Sequence, residues 1–205
     1  SGAVAADISK KYNYFAVYGN TAEDLDREIA KRGPKLKLTG TRHPGATSME
    51  FDIKTKFMSD GKYCKLANAY VTLDLKLTLP SWKNRKTATT DMAIMWDTLS
   101  SDIKRHEERH AIIARNYAIE LERKLESLQR QKDCKLVQAN AEKTADTVLR
   151  AHAKAQVDTR DLQSAPEVAQ RLLEFFLARY APGQVELAAD LGGGVEQVDL
   201  MTPLG

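Results

Sequence analysis

The residues best suited to chemistry sit together in the stretch Arg105-His106-Glu107-Glu108-Arg109-His110, which contains the pattern His-Glu-x-x-His. On a helix, side chains four apart lie one above the other, about 6 Å apart. Two imidazoles at that spacing can both reach one Zn²⁺ at about 2.0–2.1 Å. A glutamate directly after the first histidine projects to the side of the ion. There it can hold a water and take its proton, while the ion polarises a scissile carbonyl and acidifies the water. The pattern therefore predicts His106 and His110 as metal ligands, Glu107 as general base and Zn²⁺ as cofactor. Glu108 is expected to point elsewhere, as a solvated charge or as support for the site.

Strings of this kind also arise by chance on charged helix faces, so the surroundings decide. Two of the chain's four histidines fall in this one pentapeptide. They also fall in step with Leu99, Ile103, Ile113 and Tyr117, a series that advances by four and three as the inward stripe of a helix does. Unliganded imidazoles on such a face would need other partners.

The third ligand is open. A glycine three residues and a histidine six residues past His110 would mark a metzincin, but those positions hold Ile113 and Asn116. A second arrangement takes a glutamate from the following helix, with an aspartate four residues on supporting a ligand histidine. Glu142 and Asp146 have that spacing, although Glu142, beside Lys143, also reads as an exposed acid. His152 is the rival ligand, readable equally as a satisfied histidine, and Asp158 and Asp161 are further candidates. His43, alone in a loop beside Pro44, reads as structural.

These groups need elements to hold them. Lys11 to Gly19 is aromatic and β-branched and predicts a strand. Asn20-Thr21 then offers an N-cap to a short helix, Ala22 to Lys31, with Leu25 and Ile29 on one face, ended by Gly33-Pro34. Thr39 to Thr47 reads as loop. Met49, Phe51, Ile53, Thr55 and Phe57 alternate with polar residues, and so do Val71, Leu73, Leu75, Leu77 and Leu79. Each run predicts a strand with one buried and one wet face. Ser59-Asp60-Gly61-Lys62 joins them as an antiparallel hairpin, and Pro80 is expected to stop the second strand. Tyr70 to Leu79 is expected to be the sheet edge on which a peptide substrate adds as an extra strand.

A long helix is predicted from Thr89-Thr90-Asp91 to about Gln129. A second, from Cys134 to about Val157, should fold back antiparallel on it through Leu136, Ala139, Val148, Leu149, Ala151 and Ala155. Pro166 to Tyr180 predicts a third, short helix, and the last residues read as extended. Trp82 and Trp96 read as core packing.

A chain of 205 residues suits one domain with an appendage. No apolar run reaches the roughly 18 residues of a membrane span, and a net charge of +3 gives no global signal for nucleic acid. Charge is uneven, however. From Ser164 onwards there are two Arg, no Lys and six acids, a net of −4, which leaves +7 on the first 163 residues. The expected division is residues 1–11 as a mature N-terminal tail, 12–163 as a zincin-like metallopeptidase domain, and 164–205 as an acidic extension. That extension is expected to contact this chain's own cleft or a partner. Cys64 and Cys134 read either as two buried thiols or, the favoured reading, as one long-range disulfide, which requires an oxidising compartment. Ser1 to Ala6 reads as a short remnant before the mature end of an exported protein, with no signal peptide visible.

One succession of motifs brings these signals together. It comprises an aromatic strand ending in Tyr18-Gly19-Asn20-Thr21, then Gly33-Pro34, a cysteine in the hairpin, Leu79-Pro80-x-Trp82, Trp96-x-x-Leu99, His106-Glu107-Glu108-x-His110 and a second cysteine. It resembles the bacterial family of unknown function described as predicted secreted zinc-dependent proteases, over about Tyr12 to Asp158. The resemblance implies an exported metal-dependent hydrolase and supports the cysteine pairing. Many members end the last helix in a Tyr-Asp…Thr-x-His-Gly type of segment that would supply the final ligand. This chain has Val157-Asp158-Thr159-Arg160 there instead.

The expectation is thus an α+β protein with N-terminal antiparallel strands and a short helix, followed by a long active-site helix and its antiparallel partner. Its predicted role is a zinc-dependent peptidase of the bacterial envelope, periplasmic or secreted, acting on peptide or protein substrates through a metal-activated water. The alternative is an envelope binding or assembly module with a structural or degenerate zinc site. Three protein ligands plus water would mark catalysis, and four protein ligands a structural site.

Overall fold

The computed structural model describes residues 6–35 and 40–160, the last three of these by backbone only. Strand β1 (Asp7–Val17) leads to helix α1 (Ala22–Arg32), then β2 (Ala46–Ser59), β3 (Cys64–Trp82), a 3₁₀ turn (Arg85–Thr87), α2 (Thr90–Glu126) and α3 (Cys134–Arg160). The fold is α+β, as the patterns predict. The acidic segment 164–205, with its expected helix, lies outside the described residues.

Local chemistry sets the element ends. Thr21 and Asp24 form a reciprocal capping box at the start of α1. The hydroxyl of Thr89 caps α2 by accepting from the backbone N–H of Met92 at 3.4 Å. The β2–β3 hairpin turns at Asp60 to Tyr63, where Gly61 has φ +88°, a conformation that only glycine adopts easily.

The three strands form one sheet in the order β1-β3-β2. β2 pairs antiparallel with β3, from Ala46 opposite Thr78 to Ser59 opposite Cys64. β1, however, runs parallel to β3, from Asp7 opposite Thr72 to Val17 opposite Trp82. This corrects three expectations. The sheet is mixed, because α1 and the following loop let the chain cross over before β2 begins. The N-terminal strand begins at Asp7, inside the stretch expected to be a tail. Finally, Tyr70 to Leu79 is the central strand and cannot be an edge; the edges are β1 and β2. Pro80 does not end β3 either. Past Thr78 the strand has no β2 partner, and a residue without an N–H is tolerated where a neighbour is missing.

α2 packs across the sheet. On β3, Val71, Leu73, Leu75 and Leu77 face Ala111, Ala114, Ala118, Leu121 and Leu125 of α2, together with Ala141 and Val148 of α3. Each fully buried leucine contributes about 1.5–3 kcal/mol. A second cluster, at the other end of α2, joins Val17, Leu25, Ile29, Leu79, Trp82, Met95, Trp96, Leu99 and Ile103. There Trp82 donates from its indole nitrogen to the Gly19 carbonyl at 2.9 Å. From Ala111 to Ala118 the buried positions of α2 are alanines, with Ile113 and Tyr117 only half-buried, before Leu121 and Leu125 take over. Small side chains let the helix lie close to the leucine-rich strand. On α3 the inward residues are Val137, Ala141, Val148, His152 and Gln156, whereas Leu136 and Ala139 face outward. Cys64 and Cys134 form a disulfide that ties the start of β3 to the start of α3.

Candidate metal centre

The His-Glu-x-x-His turn of α2 lies between the two apolar clusters, one ending at Ile103 and the other starting at Ala111. His106, Glu107 and His110 are all buried. The two imidazoles meet edge to face, with Nε2 of one 3.0 Å from Nε2 of the other. Two nitrogens bound to one tetrahedral zinc stand roughly 3.3 Å apart. The rings therefore need to part by only a few tenths of an ångström to share an ion. They open onto a pocket of about 70 Å³, lined also by His43, Pro44, Gly45, Ala46, Thr47, Met49 and Gln156. That volume suits an ion and a few waters rather than an enclosed small molecule.

Glu107 borders the same pocket, against the chain that enters β2. A Cβ placed on Gly45 would lie 2.8 Å from Ile103 Cγ2 and 3.0 Å from Glu107 Cγ and Oε1. Only the absence of a side chain at position 45 lets that backbone pass. The Thr47 hydroxyl lies 2.7 Å from Glu107 Oε2 and 3.0 Å from the Glu107 backbone oxygen. A hydroxyl has one proton to give. Thr47 gives it to the carboxylate or to the backbone oxygen, and the contact to Oε2 is the shorter of the two. Burial raises the Glu107 pKa to about 7, with the Thr47 hydrogen bond acting in the opposite sense. Glu108 points to the other side of α2, where Tyr12 donates to it and Lys10 pairs with it at 2.8 Å. Burial pushes its carboxyl up, but those two hydrogen bonds outweigh it and leave the pKa below the usual value.

The expected supporting residues separate clearly. Glu142 is exposed and accepts from Gln138 at 2.9 Å, one turn away on its own helix. Asp146 is exposed and paired with Arg150 at 2.8 Å. Neither faces the histidines, because the inward stripe of α3 runs through 141, 148, 152 and 156. The structure thus does not bring Glu142 or Asp146, the expected ligand and its support, to the histidine turn. His152 does lie on that stripe, buried between the rings of Phe51 and Tyr117 at 5.0 and 5.6 Å. Burial first, and then the neighbouring His110, hold its imidazole below the usual pKa. Gln156 stands between His152 and His110. Its Oε1 is 2.5 Å from His110 Nδ1, and its Nε2 is 2.9 Å from His152 Nε2. Among the described residues, no group of three or more His, Cys, Asp or Glu is placed to hold an ion. The pair His106 and His110 thus fits two positions of a metal site, and neither Glu142 nor His152 fills a third. The side chain of Asp158, and Asp161, lie outside the described residues.

Two neighbours of the histidine turn escape the sequence patterns. His43 lines the pocket although it reads as an isolated loop histidine. Gln156 carries no motif at all; its one signal is the spacing of four from His152 on the helix that folds back. All four histidines of the chain, His43, His106, His110 and His152, gather in this one region.

The family described as "Bacterial protein of unknown function (DUF922)" matches residues 12–160. The chain belongs to this family. It is the one that the motif succession resembles. The match runs from within β1 to the end of α3, so the DUF922 unit contains both apolar clusters, the disulfide and the histidine turn. Neither a comparison with curated proteins nor one with solved structures gave a match.

Proposed function

We propose that this DUF922 protein is a zinc-dependent peptidase of the bacterial envelope, with His106 and His110 as ligands and Glu107 as general base. The observation that carries the reading is the facing pair of Nε2 atoms, 3.0 Å apart beside a buried carboxyl in an open pocket. An ion held there would supply a Lewis acid to polarise the scissile carbonyl and acidify water. The chain's own groups do the rest. Glu107 accepts the proton of the attacking water and returns it to the leaving amine. Thr47 holds one of its carboxyl oxygens, leaving the other for the proton transfer. Gly45 keeps the passing backbone off the carboxyl.

Peptide as substrate is supported by the sheet. Among the described residues β2 pairs with β3 on one side only, and its first residues, Ala46, Thr47 and Met49, border the pocket. Its other edge can receive an extended peptide as an added strand. Export is supported by the disulfide, since such bonds persist in oxidising compartments. Among the described residues no helix is long and apolar enough to cross a membrane.

The deciding experiment compares the wild-type chain with Glu107→Gln and His106→Ala, measuring bound zinc and cleavage of a denatured protein substrate. Glu107→Gln should keep about one zinc per chain and lose at least about 100-fold in turnover. His106→Ala should lose both. Full turnover by Glu107→Gln rejects the assignment.

A second reading is an envelope binding or assembly module with a structural or degenerate site. It is favoured by the lack of a third ligand among the described residues and by the N···N distance, which also suits an N–H···N hydrogen bond. Zinc uptake by the wild-type chain without hydrolysis of any peptide would select it.

A further inference from the structure

The amide of Gln156 is buried, and its neighbours settle which way round it sits. Its Nε2 lies 3.0 Å from the backbone oxygen of His110, which can only accept, and 2.9 Å from His152 Nε2. With two hydrogens, the amide nitrogen donates to both; Met49 Sδ, at 3.5 Å, is a weaker third contact. The amide oxygen is therefore left facing His110 Nδ1 at 2.5 Å. An amide oxygen has no proton to offer, so that ring nitrogen must carry one. In a neutral imidazole the other nitrogen, Nε2, is then a bare lone pair. It is this Nε2 that faces His106 Nε2 across the pocket.

We infer that Gln156 is a positioning residue. It locks His110 in the Nδ1-protonated tautomer and so presents the Nε2 lone pair as the metal donor. His152 stands behind it as the acceptor that fixes the amide, not as a ligand. The purpose of the lone pair rests on the metal reading above; the tautomer rests on the hydrogen bonds alone. In this arrangement α3 contributes orientation to a site whose identified donors belong to α2. The outer nitrogen of a ligand histidine commonly needs such a partner, whose loss lowers metal affinity about 10–100-fold.

The test uses the full chain. Long-range proton–nitrogen spectra of chelator-treated protein report the tautomer of each imidazole. Competition with a chromophoric chelator reports zinc affinity. The variants are Gln156→Met, Gln156→Glu and His152→Phe, each checked for native circular dichroism. Wild-type His110 should carry its proton on Nδ1. Gln156→Met should mix the two tautomers and weaken zinc about 10–100-fold. Gln156→Glu keeps an acceptor at Nδ1 and should hold the tautomer, with a smaller loss of affinity. His152→Phe should weaken zinc less than Gln156→Met does.

An Nε2-protonated His110 in the wild-type chain overturns the inference, as does an unchanged tautomer in Gln156→Met. A loss in His152→Phe larger than in Gln156→Met makes His152 a ligand and overturns its second half. Should Gln156→Met fail to fold, the wild-type spectrum and Gln156→Glu decide. A wild-type chain that takes up no zinc removes the metal reading and the donor role with it, while the tautomer spectra still decide what Gln156 does.

Discussion

The two apolar clusters along α2 are built on different terms. On the disulfide side, alanines 111, 114 and 118 lie against a row of leucines and valine, and α3 covers them. On the other side, Trp82, Trp96 and Met95 fill the space, and α1 closes it. Small residues allow close approach of helix and sheet, whereas large ones hold them further apart. The histidine turn occupies the changeover. Its polar groups find their neighbours elsewhere, in the Pro44–Met49 segment and at the end of α3. The lesson is a separation of duties along one helix: the clusters supply stability, and the turn between them is left free for polar groups that apolar packing would exclude.

That separation can be broken at several points. The largest effect on stability is expected from Leu121→Ala, at a fully buried site in the alanine-side cluster. It should lower unfolding free energy by about 2–5 kcal/mol in urea titrations while leaving zinc affinity unchanged. If it strips zinc as His106→Ala is expected to, the two duties are not separate. Next comes Cys64→Ser with Cys134→Ser. Opening a loop whose ends are 70 residues apart should destabilise by about 2–4 kcal/mol, seen as a lower thermal midpoint than that of the oxidised wild type. An equal midpoint would show that packing alone holds α3 in place.

Gly45→Ala should show the opposite balance. The added methyl meets Ile103 and Glu107, so about 1–3 kcal/mol of stability is lost. Turnover should fall by more than that loss explains when assayed well below the midpoint. Wild-type turnover would mean that Glu107 does not need this backbone close by. The smallest change, Thr47→Val, removes a hydroxyl without a cavity and should destabilise by about 1 kcal/mol or less. Under the proposed peptidase reading its signature is a lower kcat at unchanged KM, because Thr47 touches Glu107, the proposed base. A raised KM with intact kcat would place Thr47 in substrate binding instead.

Much of this was legible in the sequence where the signal is local. Thr21 and Thr89 cap the helices that follow them. The alternation in β2 and β3 fixes their buried faces, and the stepping by four and three from Leu99 to His110 puts both histidines inside. The hairpin follows from a short turn around Gly61. What was hidden depends on distant partners. Nothing in Asp7 to Val17 states that it runs parallel to β3, because direction is set by the crossover after it. The inward face of α3 was misread because Leu136 and Ala139 are apolar but lie outside, while His152 and Gln156 are polar but lie inside. Hydrophobicity cannot report a buried amide whose partners are 46 residues away. Glu142 and Asp146 have the right spacing on the wrong face. His43 reaches the pocket through the fold of its loop, which no periodicity records.

The disulfide has one further consequence, and it concerns leverage. α3 is pinned at Cys134, yet it meets the histidine turn at Gln156. The 22 residues between them span roughly 33 Å at the helical rise. A tilt of one degree about the pin would carry the Gln156 amide through about 0.6 Å over that length, enough to weaken its grip on the imidazole. The far end of the rod therefore magnifies whatever slack exists at the near end. Val137, Ala141 and Val148, seated between pin and tip, act as the bearings that hold its angle.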